Sequence, residues 1–183
     1  MVFQEYVRAV SEHHARRQRL EPDLHEQVNA WRWSPVVEAL QALRGVQFTV
    51  AVTLVAEMGD LTWFESPREL MKFLGLIPSE YSSGEQRRQG SITKAGNTHA
   101  RRILVEGAWA YRYPAKVSRH LQLRLEKQPK VIQDISWKAQ VRLCKRYRRL
   151  VARGKHANVV TVAIARELTG FMWAIAKEVP LTP

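Results

Sequence analysis

Ser82 and Ser83 stand side by side ahead of Gly84. The stretch from Glu85 to Arg102 then carries Arg87, Arg88, Lys94, Arg101 and Arg102 against the single acid Glu85. A serine hydroxyl is a weak nucleophile at its own pKa. Cations around it can neutralise the pentacovalent transition state of phosphoryl chemistry and lower the cost of an alkoxide. Arginine suits that task, because its planar fork holds two phosphate oxygens at once. Residue types alone leave two readings open. In one, a serine attacks a phosphodiester. In the other, the segment only holds phosphate through its hydroxyls and cations, Ser82, Thr93 and Lys94 among them, with Gly84 in the same contact. No base stands within the motif, although His99 is near in sequence.

Other chemistries find less support. A metal-dependent nuclease needs two or more carboxylates converging on a divalent ion. Here the acids are scattered as Glu57 and Asp60, Glu65 and Glu69, Glu106, Asp134 and Glu167. The histidines (His13, His14, His25, His99, His120, His156) show no ligand spacing with cysteine, so no zinc site is expected. The lone Cys144 excludes an internal disulfide, fits a reducing compartment and falls on an apolar helical face.

The charge balance points to a polyanionic partner. The 183 residues hold 29 Lys and Arg against 17 Asp and Glu, a net charge of +12. A second basic region runs from Lys130 to Lys155 and includes Lys138, Arg142, Lys145, Arg146, Arg148, Arg149 and Arg153, with Asp134 as its acid. Trp137 and Tyr147 interleave with these. Such a helix can track a phosphate backbone, with Arg142, Arg146 and Arg149 on its charged face and Trp137, Val141, Cys144, Tyr147 and Val151 packing inward. Hydrophobic content of 45% supports a folded core. Apolar runs stop short of the ~18 residues that a membrane span needs, so no membrane association is expected.

The elements that must position these residues read as helices almost throughout. Val2, Phe3, Tyr6, Val7 and Val10 recur at helical spacing, to about Leu20, where Glu21-Pro22-Asp23 should interrupt. A second short helix passes through Leu24, Val28 and Trp31, and Ser34-Pro35 starts a third. Residues 1–33 therefore read as a helical, coiled-coil-like arm, and 34–183 as the main domain. Leu43-Arg44-Gly45-Val46-Gln47 breaks a helix before the apolar run Phe48 to Met58. That unit resembles a helix-hairpin-helix, whose turn can aim N–H groups of Gly45, Val46 and Gln47 at a phosphate; a plain helix–helix corner is the alternative. Ser66-Pro67 caps a helix to Leu74, and 79–97 reads as a loop without strands. Helices follow over about Thr98–Tyr113, through Val117, Leu121 and Leu125, over about Ile135–Arg153, and over about Ala157–Glu178, the last being the core spine. The fold class expected is all-α.

Taken in order, Leu43-Arg44-Gly45-Val46-Gln47, Ala56-Glu57-Met58-Gly59-Asp60, Phe64-Glu65-Ser66-Pro67, Leu74-Gly75-Leu76-Ile77-Pro78, Ser82-Ser83-Gly84 and Gly90-Ser91-Ile92-Thr93-Lys94-Ala95-Gly96-Asn97 resemble the C-terminal transposase domain of the IS-one-ten family. These are the DEDD-type insertion-sequence transposases, also called bridge-RNA-guided recombinases. The late helix with Val162, Ala163, Ala165, Arg166, Leu168 and Trp173 resembles the closing helix of that family, so the likeness runs from about Pro35 to Lys177.

The resemblance implies an all-helical domain joined through a coiled coil to a RuvC-like domain with an Asp-Glu-Asp-Asp metal site. It implies Ser83, directly before the glycine, as a nucleophile that forms a phosphoserine link to DNA. It also implies Mg2+ at the complete active site, a structured guide (bridge) RNA, a homo-oligomer through the arm, and action on DNA in a bacterial or archaeal cytoplasm, at the nucleoid. This chain departs in lacking the RuvC-like half, so it is expected to be a fragment that binds no cofactor itself and is not active alone. Thr93-Lys94 stands where other members often carry Ser-Lys. The alternative is a non-catalytic nucleic-acid-binding or oligomerisation fragment of such a transposase.

Overall fold

The structure is a computed structural model and describes residues 1–80 and 89–181. The chain divides into two compact units, Met1–Ser34 and Pro35–Leu181. The first is built on one helix, α1 (Val2–Asn29), and its stripe of Phe3, Tyr6, Val7 and Val10 is exposed. The interruption expected at Pro22 does not occur. Proline lacks an N–H, so the carbonyl of Gln18 has no helical donor, but both residues are exposed and water can serve that carbonyl.

The second unit holds α2 (Ser34–Leu40), α3 (Phe48–Met58), α4 (Pro67–Phe73), α5 (Thr98–Ala108), α6 (Arg119–Leu125), α7 (Lys130–Ala152) and α8 (Ala157–Lys177). Short 3-10 turns lie at Leu61–Trp63 and Trp109–Arg112, the second replacing the end of the helix expected to reach Tyr113. The all-α class holds. The helix starts follow side-chain chemistry: Ser66, Asn97 and Ser118 each accept a bond from the backbone N–H three residues on, which satisfies a donor the helix cannot.

The core sits around α8, which packs against α4, α5, α7 and the Leu61–Trp63 turn. By length and composition α8 matches a membrane span, a match that Arg166 and Glu167 hide from a search for an uninterrupted apolar run. Its side chains mark it as a core helix instead, because Val160, Ile164, Ala165, Leu168, Met172 and Ile175 are buried against the neighbouring helices.

Two further expectations change. First, Pro78–Glu80 (β1) and Gln89–Ile92 (β2) form a small antiparallel ribbon, pairing Pro78 with Ile92 and Glu80 with Gln89 across an irregularity. Second, α7 begins at Lys130, directly after Pro129, and turns a different face inward. Trp137, Val141 and Val151 are about half exposed, whereas Ile132, Ser136, Ala139, Gln140, Leu143, Cys144 and Tyr147 are buried. Ser136 is bonded on that face, and Gln140 is bonded through its oxygen while its Nε2 has no hydrogen-bond partner among the described residues. Ser136 Oγ donates to Ala42 O at 2.6 Å, and Gln140 Oε1 accepts from Lys116 N at 3.3 Å. Burial raises the pKa of the Cys144 thiol and that of the Tyr111 hydroxyl, so both stay neutral.

The turn between α2 and α3 is welded to α5 by glycine. Gly45 has φ +81°, and a Cβ there would lie 2.1 Å from Gly107 O. Near the far end of α3, Glu57 accepts bonds from Asn97 Nδ2 and from His99 Nδ1, the latter at 2.7 Å. These bonds, the one from His99 foremost, hold the Glu57 carboxyl below its ordinary value of 4.5.

This packing sets the cost of change at both places. Gly45→Ala should lose about 3 kcal/mol or more in urea unfolding, from left-handed strain plus overlap with Gly107. Gly154→Ala, at φ +73° with nothing within 4 Å of the added Cβ, should lose only about 1 kcal/mol. The lowered pKa of Glu57 means that its stabilising contribution is complete above 4.5, the unfolded value, and disappears as pH falls through the lower folded value. The thermal midpoint of Glu57→Gln should therefore converge on that of the wild type as the solution is acidified below that range; parallel curves would refute the assignment.

Candidate nucleic-acid interface

In sequence the serine segment lies between the two strands of the ribbon. Residues 81–88 connect β1 to β2 and lie outside the described residues, so Ser82, Ser83, Gly84, Arg87 and Arg88 receive no placement. The two ends of that connection are held by named bonds. Beyond β2 the pairing continues as Thr93 N donates to Ile77 O at 2.9 Å and Lys94 N to Gly75 O at 3.1 Å. Ser79 Oγ donates to Ser91 O at 3.0 Å. Gly96 closes the base: its φ is +78°, and a Cβ would lie 1.9 Å from Phe73 O.

Arg101 braces the same junction. Its guanidinium donates to Leu74 O and Ala95 O, both at 3.0 Å, and to Thr98 Oγ1 at 3.2 Å. Several of the donors expected to clamp phosphate thus hold the chain's own oxygens. Arg102, one residue on, is exposed and pairs with Glu106 of the next helical turn at 3.1 Å. Thr93 and Lys94 are exposed at the ribbon base, and Lys94 has φ +57°, uncommon for a residue with a Cβ.

Between the ribbon and the start of α8 lies a largely apolar cavity of about 520 Å³, lined in part by Leu76, Ile92, Val159 and Val162, with Lys94 and Arg166 adding charge. No sequence motif marks Arg166 as a site residue; its place beside the ribbon is made by tertiary packing.

On α7, the charged face is centred on a carboxylate. Arg142 Nε donates to Glu167 Oε2 of α8 at 2.8 Å. Arg146 Nε lies 2.7 Å from Glu167 Oε1 as an ion pair, without the alignment of a hydrogen bond. Lys145 and Arg149 complete a polar cavity of about 220 Å³ around the same acid. Four cations around one carboxylate leave an excess of positive charge at this face. Such an excess attracts a phosphate backbone.

At the turn, Gln47 is exposed and precedes α3, Gly45 is packed on Gly107, and the Val46 side chain is buried while its carbonyl accepts from Arg124 at 3.0 Å. Helices α2 and α3 flank this turn, and Gly45 is required there by its positive φ and its packing on α5. Among the described residues, no group of three or more His, Cys, Asp or Glu is placed to hold a metal ion.

Comparison with known proteins accords with the ordered motifs. A family model described as the transposase IS116/IS110/IS902 family matches residues 37–122. The chain is 49% identical over 181 residues to a Sinorhizobium fredii protein named "Putative transposase y4qE", covering 94% of this chain and 46% of that relative. It is 29% identical over 161 residues to a "Probable family 20 transposase" of Pseudomonas aeruginosa, covering 88% of this chain and 40% of the relative. It is 36% identical over 73 residues to the transposase for insertion sequence element IS1111A of Coxiella burnetii, covering 40% of this chain and 20% of the relative. The chain thus spans less than half the length of these relatives. The family model over residues 37–122, together with the 49% identical transposase relative aligned along 94% of the chain, identifies the chain as a member of the IS116/IS110/IS902 family of transposases.

Proposed function

We propose that this chain supplies the nucleophile and part of the nucleic-acid surface for transposition of an insertion sequence. Ser83 Oγ attacks the phosphorus of a DNA phosphodiester. A bond forms between Oγ and phosphorus, the bond from phosphorus to one flanking sugar oxygen breaks, and the proton lost from Oγ balances the proton gained by that leaving oxygen. The product is a phosphoserine link that conserves the energy of the phosphodiester for rejoining.

A RuvC-like domain supplies the Mg2+-binding carboxylates, consistent with the scattered acids of this chain. A guide (bridge) RNA selects the DNA, the α1 arm joins copies of the protein, and the work is done in the cytoplasm on nucleoid DNA. The observation that carries this reading is family membership combined with the Ser82-Ser83-Gly84 motif between two paired strands. Lys94, Arg149 and the excess charge around Glu167 support contact with the DNA backbone.

A covalent-trapping assay tests the chemistry. With the RuvC-like domain in trans, guide RNA, nicked DNA and magnesium, wild type and Ser82→Ala should yield a protein–DNA adduct and Ser83→Ala should fall to background. Equal adduct from Ser83→Ala would remove Ser83 as nucleophile, and no adduct from any form would favour a binding-only fragment. For the arm, deletion of residues 1–33 should lower the mass measured by light scattering to that of a monomer; a mass reduced only by the deleted residues would remove the arm from assembly.

A further inference from the structure

Several cations of the second unit face a carboxylate, and those beside the Gly45 turn do not. Arg142 and Arg146 face Glu167, Arg102 faces Glu106, and Lys130 faces Asp134. Beside the Gly45 turn, a cavity of about 380 Å³ brings together Arg44 from the turn, Lys116 from the segment after the Trp109–Arg112 turn, and His120 and Arg124 from α6. Among the described residues no acid lines it, and none of Arg44, Lys116 and Arg124 makes an ion pair within 4 Å. Three like charges drawn from three segments repel one another unless an anion lies between them.

The two guanidiniums are held in place by uncharged groups. Arg44 Nη1 donates to Pro114 O at 2.8 Å. Arg124 Nη1 donates to Val46 O at 3.0 Å, and its Nε to His120 O at 3.4 Å. Carbonyls orient these forks without cancelling their charge, and a guanidinium with five N–H donors keeps others for a ligand. Arg124 is only partly exposed, and burial lowers its pKa, so water compensates its charge poorly. The cavity volume equals roughly a dozen water molecules, room for a phosphate and its flanking sugar oxygens.

We infer that this cavity is a binding site for a nucleic-acid backbone phosphate, held by Arg44, Lys116 and Arg124. The inference rests on the nucleic-acid partner proposed above and is independent of Ser83 chemistry. It moves the contact at the helical turn from the backbone of Gly45 and Val46 to side chains that converge on it. DNA and the guide RNA share the phosphodiester, and either can occupy the site.

The test is equilibrium binding of the full chain, by fluorescence anisotropy, to a short duplex DNA and to a single-stranded RNA of equal length. Chelator blocks any cleavage, and salt is varied. The Lys116 side chain is exposed, so Lys116→Gln should fold normally, with an unchanged thermal midpoint. It should reduce the slope of log affinity against log salt by about 1 and weaken binding roughly fivefold to tenfold near 0.1 M salt. Arg124→Gln should give at least the same loss, provided its midpoint is also retained. The oligonucleotide on which the loss appears identifies the source of the phosphate. Unchanged slope and affinity for Lys116→Gln and a folded Arg124→Gln, alongside weakened binding by Arg149→Gln on α7, would overturn the cavity and leave the nucleic-acid partner standing. Failure of the wild type to bind either oligonucleotide at low salt would remove both.

Discussion

The burial of α8 is the constraint on which the second unit depends. One helix presents Val160, Ile164, Leu168, Met172 and Ile175 to neighbours on several sides, and each such side chain contributes about 2 kcal/mol when removed from water. Its polar groups are answered locally. Thr161 and Thr169 return their hydroxyls to carbonyls four residues back, and Trp173 Nε1 donates to Phe64 O at 2.9 Å. Gly170 lets α4 approach, with Met71 Cε 3.2 Å from where a Cβ would stand. With α4 and α5 both seated on α8, the residues between them must cross a short gap, and the ribbon is how they cross it.

That crossing explains why so small a ribbon forms between α4 and α5. β1 and β2 have few side chains to bury and too few residues to be stable alone. Their ends are fixed by the Gly96–Phe73 approach, by the Arg101 brace on Leu74 and Ala95, and by the Asn97 cap of α5 bonded through to Glu57. Precision at the base of the connection comes from packed helices.

Much of this is legible in the chain because it rests on local chemistry. Ser66-Pro67, Asn97 and the Leu43–Gln47 break are capping and turn signals that act within a few residues, and each lies at the boundary it marks. The ribbon is not legible, because Pro78-Ser79-Glu80 and Gln89-Gly90-Ser91-Ile92 lack the alternation of a half-buried strand and pair through backbone groups and the Ser79 hydroxyl. The inward face of α7 departs from expectation because apolar bulk suggests Trp137 and Val141, while Ser136 and Gln140 are buried with partners on the Ala42 turn and at Lys116. The convergence of residues 44, 116 and 124 has no sequence signature, since their nearness is made by helix packing.

The basic residues therefore divide by what already holds them, and a count of charges hides the division. Arg101 and Arg102 are adjacent in a motif rich in cations. One is fastened to three oxygens of its own chain and the other lies on the exposed face of α5 beside Glu106. A guanidinium used as a brace keeps its charge but gives up directions in which it can donate, so it acts on a distant phosphate as a field more than as a clamp. An arginine held by one or two carbonyls over an acid-free cavity keeps both charge and donors. By that criterion, the cations best placed to hold an anion are less those of the conspicuous run ending in Arg101-Arg102 than those left without carboxylates: Lys94 at the ribbon base, and Arg44, Lys116 and Arg124 at the turn.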